Sequence, residues 1–588
     1  MKNILLAFYP LLFAGLLLAK SNPAITVQEL QDHVSYLASD ALAGRKPATA
    51  GDDSAAAYIK RQLAHKWVTF PEDGFQHFDI VAALELGEGN VLAFDDTVLT
   101  VRRDFMPFAF SSGATLEAPA AFVGYGFDIK NDSLAWNDYD GIDVAGRWVL
   151  VLRGDPELDD PASPFAPHSG VRAKAFIAKD HGAAGVLTVS GENFDAKDDL
   201  PQLLVQDGHT SVGLPVVQIK KAFADLLLAQ TGLTVDSLET LLNEQRSPKS
   251  FSLNQTVRAV VDVQRVTGRT QNVVALLPGS DRTLKDEVVV IGAHYDHLGM
   301  GGPGGGSRRP DTLAVHNGAD DNASGVALAL ELFEKLAANR KQLKRSVLFI
   351  AFGAEEMGSL GAKHFTQHPL VDLQNIAFMF NFDMVGRLDS TLTLFGVGTA
   401  DGLDSLAVTK AKPHGLKLTL SPEGLGPSDH AAFYAENIPV LMFFTGMHGD
   451  YHTPNDDVEL LNFDGKKRIA EFAYDLVLEM TNRPTAPVFQ IAGPQERAPS
   501  RRQLKVTLGI MPDMAGQEKR GLRVDAVTPD RPAFRAGVKK GDVIVAIEGK
   551  PVADIYEYMH RLGELKVGQR VSVEVLRGEE RLILIAEL

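Results

Sequence analysis

Five short stretches of this sequence carry side chains able to bind a metal or move a proton. They are His294-Tyr295-Asp296-His297, Gly318-Ala319-Asp320-Asp321-Asn322-Ala323-Ser324-Gly325, Glu355-Glu356, Asp383, and Tyr451-His452-Thr453-Pro454. Each has an ordinary explanation when taken singly: Asp-Asn-x-Ser-Gly suits a helix N-terminus, and a Glu pair suits a solvated face. Together they offer mainly imidazoles and carboxylates. The chain has no cysteine, which excludes thiolate zinc knuckles, iron–sulfur centres, disulfides and cysteine nucleophiles. A metal here must be held by His, Asp and Glu. Converging carboxylates repel one another and take up protons unless a cation compensates them. Two divalent ions would do so.

The elements that must position these residues are mainly strands. His294 follows the apolar run Val288-Val289-Val290-Ile291, Glu355-Glu356 follow Val347 to Phe352, Asp383 follows Ile376 to Phe382, and Tyr451-His452 follow Val440 to Phe444. Asp321 stands just before an amphipathic helix expected from Ser324 to Ala337, and a last helix is expected from Lys466 to Met480. Apolar strands alternating with helices predict an α/β fold, with a mixed, mostly parallel central sheet flanked by helices. Such sheets bind ligands beyond the carboxyl ends of their strands, where these motifs fall. The glycine-rich stretch Gly299 to Gly306 lacks the Lys-Ser/Thr ending of a phosphate loop. It reads as a loop beside the cleft.

These motifs, in this order, resemble the co-catalytic di-zinc exopeptidases, the family of secreted bacterial leucyl aminopeptidases and glutamate carboxypeptidase. The resemblance rests on His294 in His-Tyr-Asp-His, Asp321 in Asp-Asn-Ala-Ser-Gly, Glu355-Glu356 in Ala-Glu-Glu-Met-Gly, Asp383 in Asn-Phe-Asp-Met and His452 in Tyr-His-Thr-Pro. It covers residues 24–480 and includes the opening Tyr36-Leu37-Ala38-Ser39-Asp40 to Gly44-Arg45. It implies that Asp321 bridges two zinc ions, that His294 and Asp383 complete one site, and that Glu356 and His452 complete the other. Asp296 then orients His294 and Glu355 is the general base; Tyr451 reads either as a donor to the tetrahedral intermediate or as a packing tyrosine. Asp429 and His430, in Ser428-Asp429-His430, read as supporting residues rather than ligands.

Two further modules are recognisable. Residues 112–261 change texture to short β runs between Gly, Asp and Pro turns. With Tyr139 to Gly146 and Gly182 to Leu187, they resemble a protease-associated domain inserted into the peptidase domain, which is expected to span 22–111 and 262–482. Pro484, Pro487, Pro494 and Pro499 mark a linker over 483–500. Residues 501–588 resemble a PDZ domain, through Val506-Thr507-Leu508-Gly509-Ile510 and Arg535 to Ile544. The resemblance implies that Leu508, Gly509 and Ile510 hold the carboxylate of an extended peptide.

Residues 1–21 have the layout of a cleaved secretory signal: Lys2, an apolar run from Ile4 to Leu18, and small residues before Asn22. The mature chain is therefore expected to be periplasmic or extracellular, with no stable membrane span. With 588 residues and a net charge of −17, the chain suits several domains and disfavours nucleic acid as a partner. The function expected is an exported zinc exopeptidase, an aminopeptidase acting on peptides. The alternatives are a carboxypeptidase or dipeptidase of the same family, a glutaminyl cyclase, or a non-catalytic peptide-binding scaffold.

Overall fold

A computed structural model describes residues 24–130, 134–158, 160, 163–205, 210–492, 506–512, 518, 520–528 and 531–588. The expected signal segment, 1–21, lies outside them. The central sheet has eight strands: β1 (Phe75–Leu86), β2 (Val263–Leu277), β3 (Val288–His294), β4 (Ser346–Phe352), β5 (Ile376–Phe382), β6 (Thr391–Phe395), β7 (Lys417–Ser421) and β8 (Val440–Phe444). Their order across the sheet is β1-β2-β4-β3-β5-β8-β6-β7. β4, β3, β5 and β8 are mutually parallel; β1, β2 and the β8/β6 junction are antiparallel.

Side chains of a strand alternate between faces, and β3 shows what each face meets. Val289, Ile291 and Ala293 join one apolar cluster with the helices Val27–Leu37, Gly325–Ala338 and Phe463–Asn482. Val288 and Val290 join another, which includes Ala362, Phe365 and Phe433 from the helices Leu360–Gln367 and His430–Tyr434. Helices on both faces explain why β3, β4 and β5 are buried along their whole length and mostly apolar rather than alternating.

The inserted domain is built on a second eight-stranded sheet, with the helices Val171–Asp180, Lys221–Leu228 and Val235–Gln245. Its expected start at residue 112 needs correction. Strands Val91–Phe94, Thr97–Leu99 and Phe105–Pro107 belong to the second sheet, where they pair within the insertion. The chain leaves the domain of the central sheet along the β1–β2 ribbon, where the Gly87 N–H donates to the Asp262 carbonyl at 3.0 Å. Both boundaries therefore lie side by side near residues 87 and 262. The described part of the linker is not free either: the Gln490 N–H donates to Thr399 O, and the Ala492 N–H to the Tyr434 hydroxyl.

The C-terminal domain has strands Ile510–Pro512, Leu522–Val527, Val543–Ile547, Arg570–Arg577 and Glu580–Glu587 in sheet order, with the helix Ile555–Gly563. It touches the rest of the chain through charged pairs. Arg561 forks onto Asp180 and also bonds Glu557, which accepts from Lys179, while Lys540 meets Glu436. No described helix is long and apolar enough to cross a membrane.

Candidate metal centre

The parallel strands bring four of the five motifs to one edge of the sheet. β3 pairs with β5 in a register that sets Gly292 opposite Asn381, so His294 and Asp383, two residues further on, stand level. His294 Nε2 lies 3.4 Å from Asp383 Oδ1. On the other side of β3, Phe352 of β4 pairs with His294, and Glu355 and Glu356 follow in the next turn. Gly353 is needed in that turn, because a Cβ there would lie 2.5 Å from the Gln271 carbonyl of β2.

Asp321 enters from a sharp turn over Ala319–Ser324, ahead of the helix Gly325–Ala338, and its peptide bond to Asn322 is cis. Its two carboxylate oxygens face different partners. Oδ1 is 3.2 Å from His294 Nε2, and Oδ2 is 3.1 Å from His452 Nε2. The same His452 nitrogen is 3.1 Å from Glu356 Oε2. His452 arrives from the loop after β8, its backbone carbonyl accepting from Arg308 at 2.9 Å. Tyr451 stacks on the His452 ring at a centroid distance of 3.8 Å.

Asp296 lies beside His294 and also reaches the Glu355-Glu356 turn. Its carboxylate accepts the backbone N–H groups of Glu355 and Glu356 at 2.9 and 3.3 Å. His294 Nδ1 lies 3.8 Å from Oδ1 of Asp296 and 3.3 Å from its backbone carbonyl. Asp296 thus fixes the Glu355-Glu356 turn directly. Asp429 is buried near the same cluster, and neither of its carboxylate oxygens has a hydrogen-bond partner among the described residues. Both ring nitrogens of the neighbouring His430 are likewise unpartnered among them, and burial pushes this imidazole down to about 3.

Three residues to which the sequence analysis assigned no role complete the arrangement. Asp456 accepts the backbone N–H groups of Asp320 and Asp321 at 2.9 and 3.0 Å and is itself bonded by Arg387 at 2.8 Å. Buried Arg45 donates to four carbonyls, those of Leu37, Tyr295, Asn317 and Gly318. His297, the last residue of His-Tyr-Asp-His, places Nδ1 2.7 Å from Glu356 Oε1. Its spacing three residues after His294 was the one available signal for it; Arg45 and Asp456 lie outside the ligand motifs.

The electrostatics ask for cations. Burial alone would lower the His294 imidazole, yet the Asp383 and Asp321 carboxylates outweigh it and hold the group well above its ordinary value. His452 is likewise raised, to about 10, against burial, by Asp321 and Glu356. Asp321 is held well below the usual carboxylate range, against burial, by His294 and His452. Glu355 moves the other way: burial, with Asp429, Glu356 and Asp383 added and only His294 opposing, pushes it well above that range.

Among the described residues, three groups bring three metal-ligand atoms together, and two of them share Asp321: His294, Asp321 and Asp383, and His297, Asp321 and Glu356. The third, Asp180, His560 and Glu564, lies between the insertion and the C-terminal domain, where Arg561 and Lys550 already engage its carboxylates. Donor atoms of a tetrahedral zinc site stand about 3.3 Å apart, given bonds of roughly 2.0–2.1 Å. The 3.1–3.4 Å separations around His294 and His452 fit that spacing. The donor set of imidazole and carboxylate suits zinc.

At the C-terminal end of the chain, Leu508 is buried and its carbonyl accepts from Ala533 at 2.8 Å. Gly509 has a φ of +75° and Ile510 opens the strand that pairs with Val527.

Residues 272–477 match the family described as Peptidase family M28, and residues 506–588 match the PDZ domain. Aminopeptidase YwaD of Bacillus subtilis is 25% identical over 404 residues, 67% of this chain and 74% of that protein. An aminopeptidase of Pseudomonas aeruginosa is 26% identical over 450 residues, 74% of this chain and 72% of that protein. A solved zinc aminopeptidase from Bacillus subtilis aligns at 22% identity with a TM-score of 0.47, covering 80% of this chain and 99% of that one.

Proposed function

We propose that this chain, whose residues 272–477 match peptidase family M28 and whose residues 506–588 match the PDZ domain, is an exported aminopeptidase using two zinc ions, with Glu355 as general base. The observation that carries the reading is the divided carboxylate of Asp321, one oxygen toward His294 and the other toward His452. His294 and Asp383 complete one site, and Glu356 and His452 the other. Zinc held there would supply Lewis-acid polarisation of the scissile carbonyl and acidify the attacking water.

Glu355 takes a proton from the attacking water and delivers it to the leaving amine. Its burial among carboxylates makes it basic, and Asp296 holds its backbone in place. Tyr451 is raised by burial and by the surrounding carboxylates, so its hydroxyl keeps its proton and can donate to the developing oxyanion. Action at the N-terminus is supported by the relatives, which are named aminopeptidases. Export is supported by the signal-like residues 1–21. The PDZ domain supplies a second peptide contact, with Leu508, Gly509 and Ile510 at the carboxylate of a peptide C-terminus.

Elemental analysis of purified protein should give two zinc ions per chain. Glu355→Gln should keep both while kcat falls by about 10²–10⁴-fold. Turnover at the normal rate by that variant would exclude Glu355 as the base. Aminoacyl-amides and free peptides should be cleaved and N-acetylated peptides spared; cleavage of the acetylated set would overturn the aminopeptidase reading.

A further inference from the structure

His297 stands at the second half of the centre without a role in the chemistry above. It is buried, and its Nδ1 approaches Glu356 Oε1 at 2.7 Å and Asp321 Oδ2 at 3.9 Å. Two ligands of one tetrahedral zinc ion stand about 3.3 Å apart, so 2.7 Å is a hydrogen bond between His297 and Glu356 and not a shared metal. An ionised Glu356 can only accept, hence Nδ1–H donates to Oε1.

The other oxygen of Glu356, Oε2, is the one within 3.1 Å of His452. The imidazole has little freedom to turn. A Cβ on Gly318 would lie 2.5 and 2.6 Å from its Cδ2 and Cγ atoms, so the ring packs directly on the Gly318 backbone. The His297 N–H also donates to the Arg45 carbonyl at 3.2 Å. Its Nε2 has no hydrogen-bond partner among the described residues, which leaves the bond to Glu356 as the ring's single polar anchor there.

We propose that His297 is a positioning residue that engages Oε1 of Glu356 and thereby presents Oε2 to the second zinc ion. This inference rests on the di-zinc reading of the site. His297 acts on only one of the two sites, because Glu356 is absent from the His294–Asp383 side. Partners that orient a metal-bound carboxylate typically contribute about 10–100-fold in metal affinity.

The test is zinc retention against a graded chelator, followed by elemental analysis. Wild-type protein should hold two zinc ions. His297→Ala should release one of them at about 10–100-fold lower chelator concentration, with the other held as in wild type. His297→Asn places an amide donor near the position of Nδ1 and should restore retention, whereas His297→Gln places it near Nε2 and should not. A residue needed only for packing would not separate Asn from Gln in this way. In the Glu356→Gln background, His297→Ala should add no further loss at that site. If His297→Ala keeps both ions at wild-type affinity, or weakens both sites equally, the inference is overturned. A wild-type chain without zinc would instead overturn the di-zinc reading itself.

Discussion

Asp321 shows how much one carboxylate depends on its neighbours. Its position is fixed by backbone N–H groups donated to Asp456, which is in turn bonded by Arg387. Arg45 plays the corresponding part for the His294 and Gly318 loops, because a planar guanidinium can serve four carbonyls that a lysine could not. Burial lowers its pKa only to about 10, so it stays charged at neutral pH. Arg45→Met would leave those buried carbonyls without their donor. The expected cost is about 3 kcal/mol, read as a fall in the denaturant midpoint, together with loss of zinc. A variant as stable and as zinc-replete as wild type would show that the loops hold themselves.

At the scale of elements, the parallel core makes the centre possible. β3, β4 and β5 end together, and their register delivers His294 beside Asp383 without help from the loops. Ile291 lies fully buried in the middle of β3, three residues before His294. Ile291→Ala should cost about 3 kcal/mol through lost burial and the cavity left behind. Zinc content of the native protein should equal that of wild type, because register is set by backbone pairing. Denaturation and elemental analysis of the same sample would check both halves. A large loss of zinc with little loss of stability would mean that β3 positions His294 by side-chain packing.

For the whole molecule, the PDZ helix Ile555–Gly563 is held against the insertion helix Val171–Asp180 by the Arg561–Asp180 fork and the Lys179–Glu557 pair, with Arg172 over the Tyr556 ring at 3.9 Å. These polar contacts resemble those between domains that can separate. Arg561→Ala removes the fork and should leave cleavage of a dipeptide within about twofold, since a ligand this small needs only the peptidase site. Amide hydrogen exchange in the helices Val171–Asp180 and Ile555–Gly563 should become faster. Unchanged exchange would show that other contacts suffice to dock the PDZ domain.

The sequence by itself determined the donor types, the strand ends that carry them and the order of the motifs. Those signals are local: an apolar run followed by His or Glu keeps its meaning wherever the strand lies in the sheet. Tertiary structure decided what depends on long-range pairing. It decided which oxygen of Asp321 faces which imidazole, that His297 meets Glu356, and that Arg45 reaches the Tyr295 carbonyl 250 residues away. It also moved the insertion boundary from residue 112 to near 87, because the apolar run Val91–Phe94 reads the same whichever sheet the strand joins. A strand's own residues encode that it pairs; only the rest of the chain supplies the partner.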